Sequence, residues 1–138
     1  MHEWALAEGV ISTALKAAEE EGLREITRIK IKMGELQQID REIFELALKE
    51  VSQSRGLEAE RAKIELETEE AVLKCRVCGY EWLFSKAIEG LSEEERESIH
   101  FVPEIAHVYV ACPRCESSDF EIVKGRGVWI DFIEGEHK

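Results

Sequence analysis

The feature that most constrains the fold of this chain is a pair of cysteine turns, Cys75-Arg-Val-Cys78-Gly-Tyr and Cys112-Pro-Arg-Cys115. All four cysteines of the chain lie in these two C-x-x-C units, separated by residues 79–111. A C-x-x-C turn aims two thiolates and several backbone N–H groups at one point. Two such turns facing each other make a tetrahedral S₄ cage, which suits zinc or a single iron. A metal closed by four thiolates has no open position for hydrolysis and contributes folding energy instead. The cysteines Cys75, Cys78, Cys112 and Cys115 are therefore expected to hold a structural zinc in a small module inserted into a second fold.

Size and charge narrow the rest. At 138 residues the chain is one ordinary domain, or one with a satellite. No apolar run approaches the roughly 20 residues that a membrane helix needs. The opening Met-His-Glu-Trp has no basic segment followed by an apolar one, so no signal peptide is expected and the expected location is cytoplasmic. In a reducing compartment, paired C-x-x-C units read as metal ligands rather than disulfides. A formal charge of −12 repels phosphate backbones, so neither nucleic acid nor a membrane is an expected partner. The chain has no asparagine and is 35% charged, which fits a thermophile's composition. No Walker loop, H-E-x-x-H or G-x-S-x-G motif occurs, and no enzymatic activity is expected.

Periodicity gives the organisation. Leu6, Ala7, Val10, Ile11, Ala14, Leu15 and Ala18 recur at helical spacing and predict a helix over about 3–21. Ile29, Ile31 and Met33 alternate with Arg28, Lys30 and Lys32, a strand over 24–33 with Ile26 out of phase. Asp40 reads as the N-cap of a second helix over 41–54 whose buried stripe is Ile43, Phe44, Ala47, Leu48 and Val51. Ala62, Ile64 and Leu66 mark another strand. Between the cysteine pairs, residues 80–84 read as a short strand, and Ser92 with Glu95 as a capping box. Val108-Tyr-Val110 runs into the second cysteine pair, and Phe120-Glu-Ile-Val123 runs out of it. The apolar run Gly127–Ile133 is too hydrophobic for a ribbon edge and is expected to return to the first half. The expected fold class is α+β, a small three-stranded sheet with two helices on one face plus an inserted zinc-ribbon-like module. The domains are then 1–72, completed by a returning strand at 124–138, and 73–123. The two-sided apolar strand around Trp129 leaves a face for a partner or a second copy, as in a homodimer, to cover.

The amino end offers a second metal chemistry. Methionine before a bulky residue is usually retained, so the mature chain should begin Met1-His2. The terminal amine of Met1, the deprotonated amide nitrogen of His2 and the His2 imidazole can close fused five- and six-membered rings on one ion. The amide of Glu3 offers a further nitrogen. Four coplanar nitrogens suit Ni(II) or Cu(II) and suit zinc poorly. The plain alternative is an ordinary frayed terminus, although Trp4 and Leu6 begin an apolar helical face at once. His100 and His107 lie between the cysteine pairs, where either could add a donor to the amino-terminal site or link the two metal sites; His137 sits in a polar tail. Asp40 is either a helix cap or a carboxylate near the amino-terminal metal.

Met1-His2-Glu3-Trp4-Ala-Leu-Ala, the segment Ile31-Lys-Met-Gly-Glu-Leu36 and the two cysteine turns, in this order, resemble the HypA family of nickel-incorporation metallochaperones across essentially the whole chain. The resemblance implies an α/β nickel-binding domain joined to a zinc ribbon. It implies a nickel ligand set of His2 and the backbone nitrogens near it, with Glu3 as neighbour, and zinc on the four cysteines. It implies a HypB-type nickel GTPase and the [NiFe]-hydrogenase large subunit as partners, with Ni(2+) as transferable cargo. The stretch of about 85–107 is longer than a minimal ribbon needs, as in archaeal-type members, and makes His100 a candidate extra nickel donor. Two other readings of the cysteine cage are a rubredoxin-like iron electron carrier and a zinc-ribbon adaptor for nucleic acid or protein.

Overall fold

A computed structural model of the chain describes residues 2–37, 39–57 and 61–137. The elements run α1 (Glu3–Glu20), β1 (Leu23–Gly34), α2 (Arg41–Ser54), β2 (Lys63–Glu69), β3 (Val72–Cys75), β4 (Glu81–Leu83), α3 (Phe84–Ala87) and α4 (Glu93–Phe101). A 3₁₀ turn over Pro103–Ile105, α5 (Ala106–Tyr109), β5 (Phe120–Lys124) and β6 (Val128–His137) complete them. The chain divides into two compact units: Met1–Lys32 with Ile39–Glu67 and Val128–Lys138, and Met33–Gln38 with Thr68–Gly127. No described helix is long and apolar enough to cross a membrane.

The first unit is built on a three-stranded sheet of order β2-β1-β6, so the apolar run near the end of the chain does return beside β1. Arg24 reaches Glu136 and Arg28 lies over Phe132, so contacts step in opposite directions along β1 and β6. Arg28 with Glu65 and Lys30 with Glu67 step in the same direction along β1 and β2, as a β-α-β crossover through α2 requires. These charged pairs occupy one face of the sheet. Glu65 takes two hydrogen bonds from Arg28, at 3.0 and 2.8 Å, which pull its carboxyl below the ordinary value. Ile29 and Ile31 point the other way and are fully buried.

That buried face meets the helices. In α1 the buried positions Ala7, Val10, Ile11, Ala14 and Ala18 follow the helical repeat, and small residues among them let α1 and α2 pack closely. Glu21 and Gly22 stop α1 through a left-handed glycine at φ +70, whose N–H bonds the Glu19 carbonyl. In α2 the buried residues are Phe44, Ala47, Leu48, Val51 and Ser52. Ile43 is not among them. It is 43% exposed, because it sits one residue to the side of the i, i+3, i+4, i+7 stripe that Phe44 begins. Ile26 is buried although it is out of phase with Ile29, and the strand already begins at Leu23.

The second unit is an antiparallel sheet of order β4-β3-β5. Leu73 lies opposite Trp82 on one side and Ile122 on the other, and Cys75 lies opposite Phe120. Its core gathers Leu36, Ala71, Leu73, Phe84, Ile99, Ala106, Val110 and Phe120. The strand expected over 80–84 forms over Glu81–Leu83 and stops one residue short, and residues 106–109 are helical. Phe84 opens the turn of α3, and Val108 and Tyr109 lie in or beside α5, which swings Ala106 and Val110 inward while Val108 stays 75% exposed. The capping box of α4 forms in both directions, Ser92 Oγ accepting from Glu95 N–H and Glu95 accepting from Ser92 N–H.

Residues 33–37 belong to this second unit rather than to the first, and hydrogen bonding explains why. Gly34 N–H donates to Gly127 O at 2.8 Å, Glu35 N–H to Glu69 O at 2.8 Å and Leu36 N–H to Gly125 O at 2.9 Å. Glu35 and Glu69 carboxylates accept from Ala71 N–H and Gly125 N–H, and the Gln37 side chain accepts from Gly127 N–H. The strands come so close that a Cβ on Gly34 would lie 2.2 Å from the Gly125 carbonyl, and one on Gly125 would lie 2.4 Å from Ala71 Cα. Gly125 also has φ +99, so both positions demand glycine.

Candidate metal centres

The two cysteine turns share one hydrogen-bond plan. Cys75 N–H donates to Tyr80 O at 2.8 Å and Gly79 N–H to Cys75 O at 3.0 Å. The second turn repeats this with Cys112 N–H to Ser117 O and Glu116 N–H to Cys112 O, both at 2.8 Å. Each turn needs a left-handed residue at the same place, Gly79 at φ +79 and Glu116 at φ +65. A glutamate there costs about 1 kcal/mol of backbone strain, which the rest of the turn must offset. The plan folds amides onto sulfur: Val77 and Cys78 N–H lie 3.4 and 3.5 Å from Cys75 Sγ, and Arg114 N–H lies 3.4 Å from Cys112 Sγ.

The four sulfurs converge. Cys75 and Cys115 Sγ are 3.4 Å apart, Cys78 and Cys112 Sγ are 3.6 Å apart, and all four lie within 4.8 Å of one another. A tetrahedral metal with bonds of about 2.3 Å to sulfur separates its ligands by about 3.8 Å, so the cluster fits one such ion. It is the sole cluster of three or more metal-ligating side chains among the described residues, and none of its cysteines is in a disulfide. Cys75 and Cys112 are buried at 1% exposure. The amide of Cys78, ahead of that of Val77, pulls the Cys75 thiol down to about 7, against the cost of its burial. Cys115 is pushed up to about 12: the Ser117 N–H favours its thiolate, but the adjoining Cys75 sulfur, burial and the other two sulfurs outweigh it. Four thiolates this close need a cation between them.

Aromatic rings brace the cage. Phe120, paired with Cys75, takes Trp82 edge-on at 5.6 Å and stacks with His107 at 4.2 Å. His107 Nδ1 donates to Ser118 O at 2.8 Å, just beyond the second turn. His100 lies in α4 beside Phe101 and lines a cavity of about 260 Å³ with Leu36, Gln37 and Arg126. Both histidines belong to the second unit.

The amino end lies in the first unit. His2 occupies the N-cap position of α1 with φ −114 and ψ 40, and its carbonyl accepts the first helical bond from Leu6 N–H at 2.9 Å. Its side chain makes no cap hydrogen bond and is exposed. It stands at one end of an apolar groove of about 700 Å³ walled by Ala5, Leu6, Gly9 and Val10 of α1 and by Val128–Ile130 of β6. Met1 lies outside the described residues. Glu3, by contrast, is only 4% exposed, and its Oε1 accepts from Asp40 N–H at 3.2 Å. The Asp40 carboxylate caps α2 by accepting from Ile43 N–H at 3.1 Å. No local sequence signal ties Glu3 to Asp40, because the two are 37 positions apart.

Comparison with known proteins gives this geometry a family. The model of HypA, described as hydrogenase/urease nickel incorporation metallochaperone, matches residues 1–135. The hydrogenase maturation factor HypA of Pyrococcus horikoshii is 50% identical over 134 residues, covering 97% of this chain and 95% of that protein. The Thermococcus onnurineus factor of the same name is 48% identical over the same shares of both chains. The solution structure of the Ni metallochaperone HypA from Helicobacter pylori covers all of both chains with a TM-score of 0.64 at 18% identity, a likeness of fold. The cysteine cluster and the order of elements thus accompany a match along nearly the entire chain, and this protein belongs to the HypA family of hydrogenase/urease nickel-incorporation metallochaperones.

Proposed function

We propose that the chain carries Ni(II) at its amino end in the cytoplasm and, with a HypB-type GTPase, delivers it to the large subunit of [NiFe]-hydrogenase. The nickel donors are the Met1 amine, the His2 imidazole and the backbone nitrogens of His2 and Glu3. The four cysteines hold a structural zinc.

The observation that carries this reading is the start of α1. The first N–H groups of a helix have no carbonyl acceptor within it. The amides of His2 and Glu3 can therefore lose their protons to a metal without breaking a rung of the helix. A bare dication is disfavoured beside the positive end of the helix dipole, but an amidate is favoured there, and the two together cancel the ion's charge. The N-cap position ordinarily goes to Ser, Thr, Asp or Asn, worth about 0.5–2 kcal/mol; here it holds a histidine that caps nothing. A site at a helix end also frays at little cost, as release to a partner requires. The maturation factors named for Pyrococcus and Thermococcus support hydrogenase as the destination.

Because the amides must be deprotonated, protons compete with nickel. Titration with nickel at successively lower pH should show affinity falling by about a hundredfold per pH unit wherever two protons leave on binding. An affinity that stays flat through the acid range would mean that nickel sits on side chains alone.

A further inference from the structure

Glu3 and Ser52 are the buried polar or charged side chains among the described residues. The Ser52 hydroxyl is accounted for by the Leu48 carbonyl of its own helix. Glu3 is different: a carboxylate at 4% exposure in the first turn of a helix is tolerated only where hydrogen bonds hold it. Asp40 supplies one of those bonds. Asp40 N–H lies just outside α2, where no carbonyl of that helix accepts it, and Glu3 Oε1 takes it at 3.2 Å. Asp40 is itself fastened to α2 at both ends, its side chain accepting from Ile43 N–H and its carbonyl from Phe44 N–H at 2.9 Å. The Glu3 carboxylate thus sits at the positive end of α2, where an anion is favoured.

We infer that Glu3 is a positioning residue: its carboxylate pins the first turn of α1 to the N-cap of α2 and so fixes the backbone nitrogens of His2 and Glu3 for nickel, without itself binding the ion. This rests on the amino-terminal nickel reading. To ligate, the carboxylate would have to leave its buried site and strip Asp40 N–H of its acceptor. Held in place, it removes the freedom that a chain end would otherwise lose on closing around a metal, which raises affinity without adding a donor. It also gives Asp40 a part in the site through its backbone, with its side chain left to cap α2.

Two variants separate the roles, because a glutamine carbonyl can still accept from Asp40 N–H but is a poor nickel ligand. In the untagged full chain, Glu3→Gln should keep nickel affinity within about threefold of wild type with the same d–d absorption spectrum. Glu3→Ala should lose about tenfold or more, the range seen when a group that orients metal ligands is removed. Amide hydrogen exchange at Asp40, measured without nickel, should speed up in Glu3→Ala and remain slow in Glu3→Gln. Loss of nickel in Glu3→Gln as large as in Glu3→Ala, with Asp40 still protected, would make the carboxylate a ligand and overturn the inference. Unchanged nickel affinity in Glu3→Ala would reduce Glu3 to a packing residue and overturn it as well. Failure of the underlying reading looks different: the wild-type chain would take up no nickel whatever the Asp40 amide does.

Discussion

Replacing His2 with alanine should lower nickel affinity about a hundredfold or more while leaving the fold and the zinc in place. In the proposed site the imidazole closes the six-membered ring of the chelate, and without it that ring is lost. A hundredfold loss corresponds to about 2.7 kcal/mol of binding. The fold should not notice, because the His2 side chain is exposed and makes no cap hydrogen bond. Exposed substitutions of that kind usually change stability by less than about 0.5 kcal/mol. Calorimetric titration of the untagged variant, alongside thermal unfolding and zinc analysis, checks both halves. Wild-type affinity in His2→Ala would remove the imidazole from the site.

Stripping the ion from the cysteine cage should unfold the second unit. Among the described residues its core cluster is eight buried side chains, and Cys75, paired with Phe120 of that cluster, and Cys112 are themselves buried. Without a cation, four sulfurs within 4.8 Å of one another gain nothing from being held together. Structural zinc contributes about 10–16 kcal/mol of apparent binding energy to zinc-finger peptides near neutral pH, more than a core this small can replace. Chelation, or Cys75→Ser, should therefore collapse the near-ultraviolet signal of Trp82, which lies edge-on to Phe120 at 5.6 Å. The helical signal of α1 and α2 should persist, since their packing is internal to the first unit. The purified protein should be colourless. A red ferric-thiolate colour would favour the rubredoxin-like reading of the same four sulfurs.

The parts of the fold that were legible in the sequence are those in which local pattern and burial agree. The 3.6-residue repeat of α1 and α2, the alternation of Ile29 and Ile31 with Arg28 and Lys30, and the Ser92–Glu95 box each depend on neighbours within one turn or one strand. The returning strand was legible because Val128–Ile133 is apolar on both faces and needs a sheet to bury it. What could not be read depends on contacts between distant segments. Phe84 and Val108 have strand-like propensity, yet they turn into short helices because the second unit's core needs Phe84, Ala106 and Val110 inside. Residues 33–37 look like the end of a strand, but their hydrogen bonds go to Glu69, Gly125 and Gly127. At the amino end, the sequence offered a candidate chelating terminus and, at Asp40, either a helix cap or a carboxylate for it. It did not show that Glu3 would be buried and tied to Asp40, since that depends on how α1 packs against α2.

The most direct measurement compares nickel uptake by the untagged chain with uptake by the same chain extended by a few residues ahead of Met1. After nickel loading and exhaustive dialysis, elemental analysis should find one tightly held zinc in both. A single nickel, removable by a competing chelator, should remain with the untagged chain alone, because the extension converts the terminal amine into an amide and shifts every ring of the chelate. Equal nickel content and equal affinity in the two chains would contradict a site built on the free amino end.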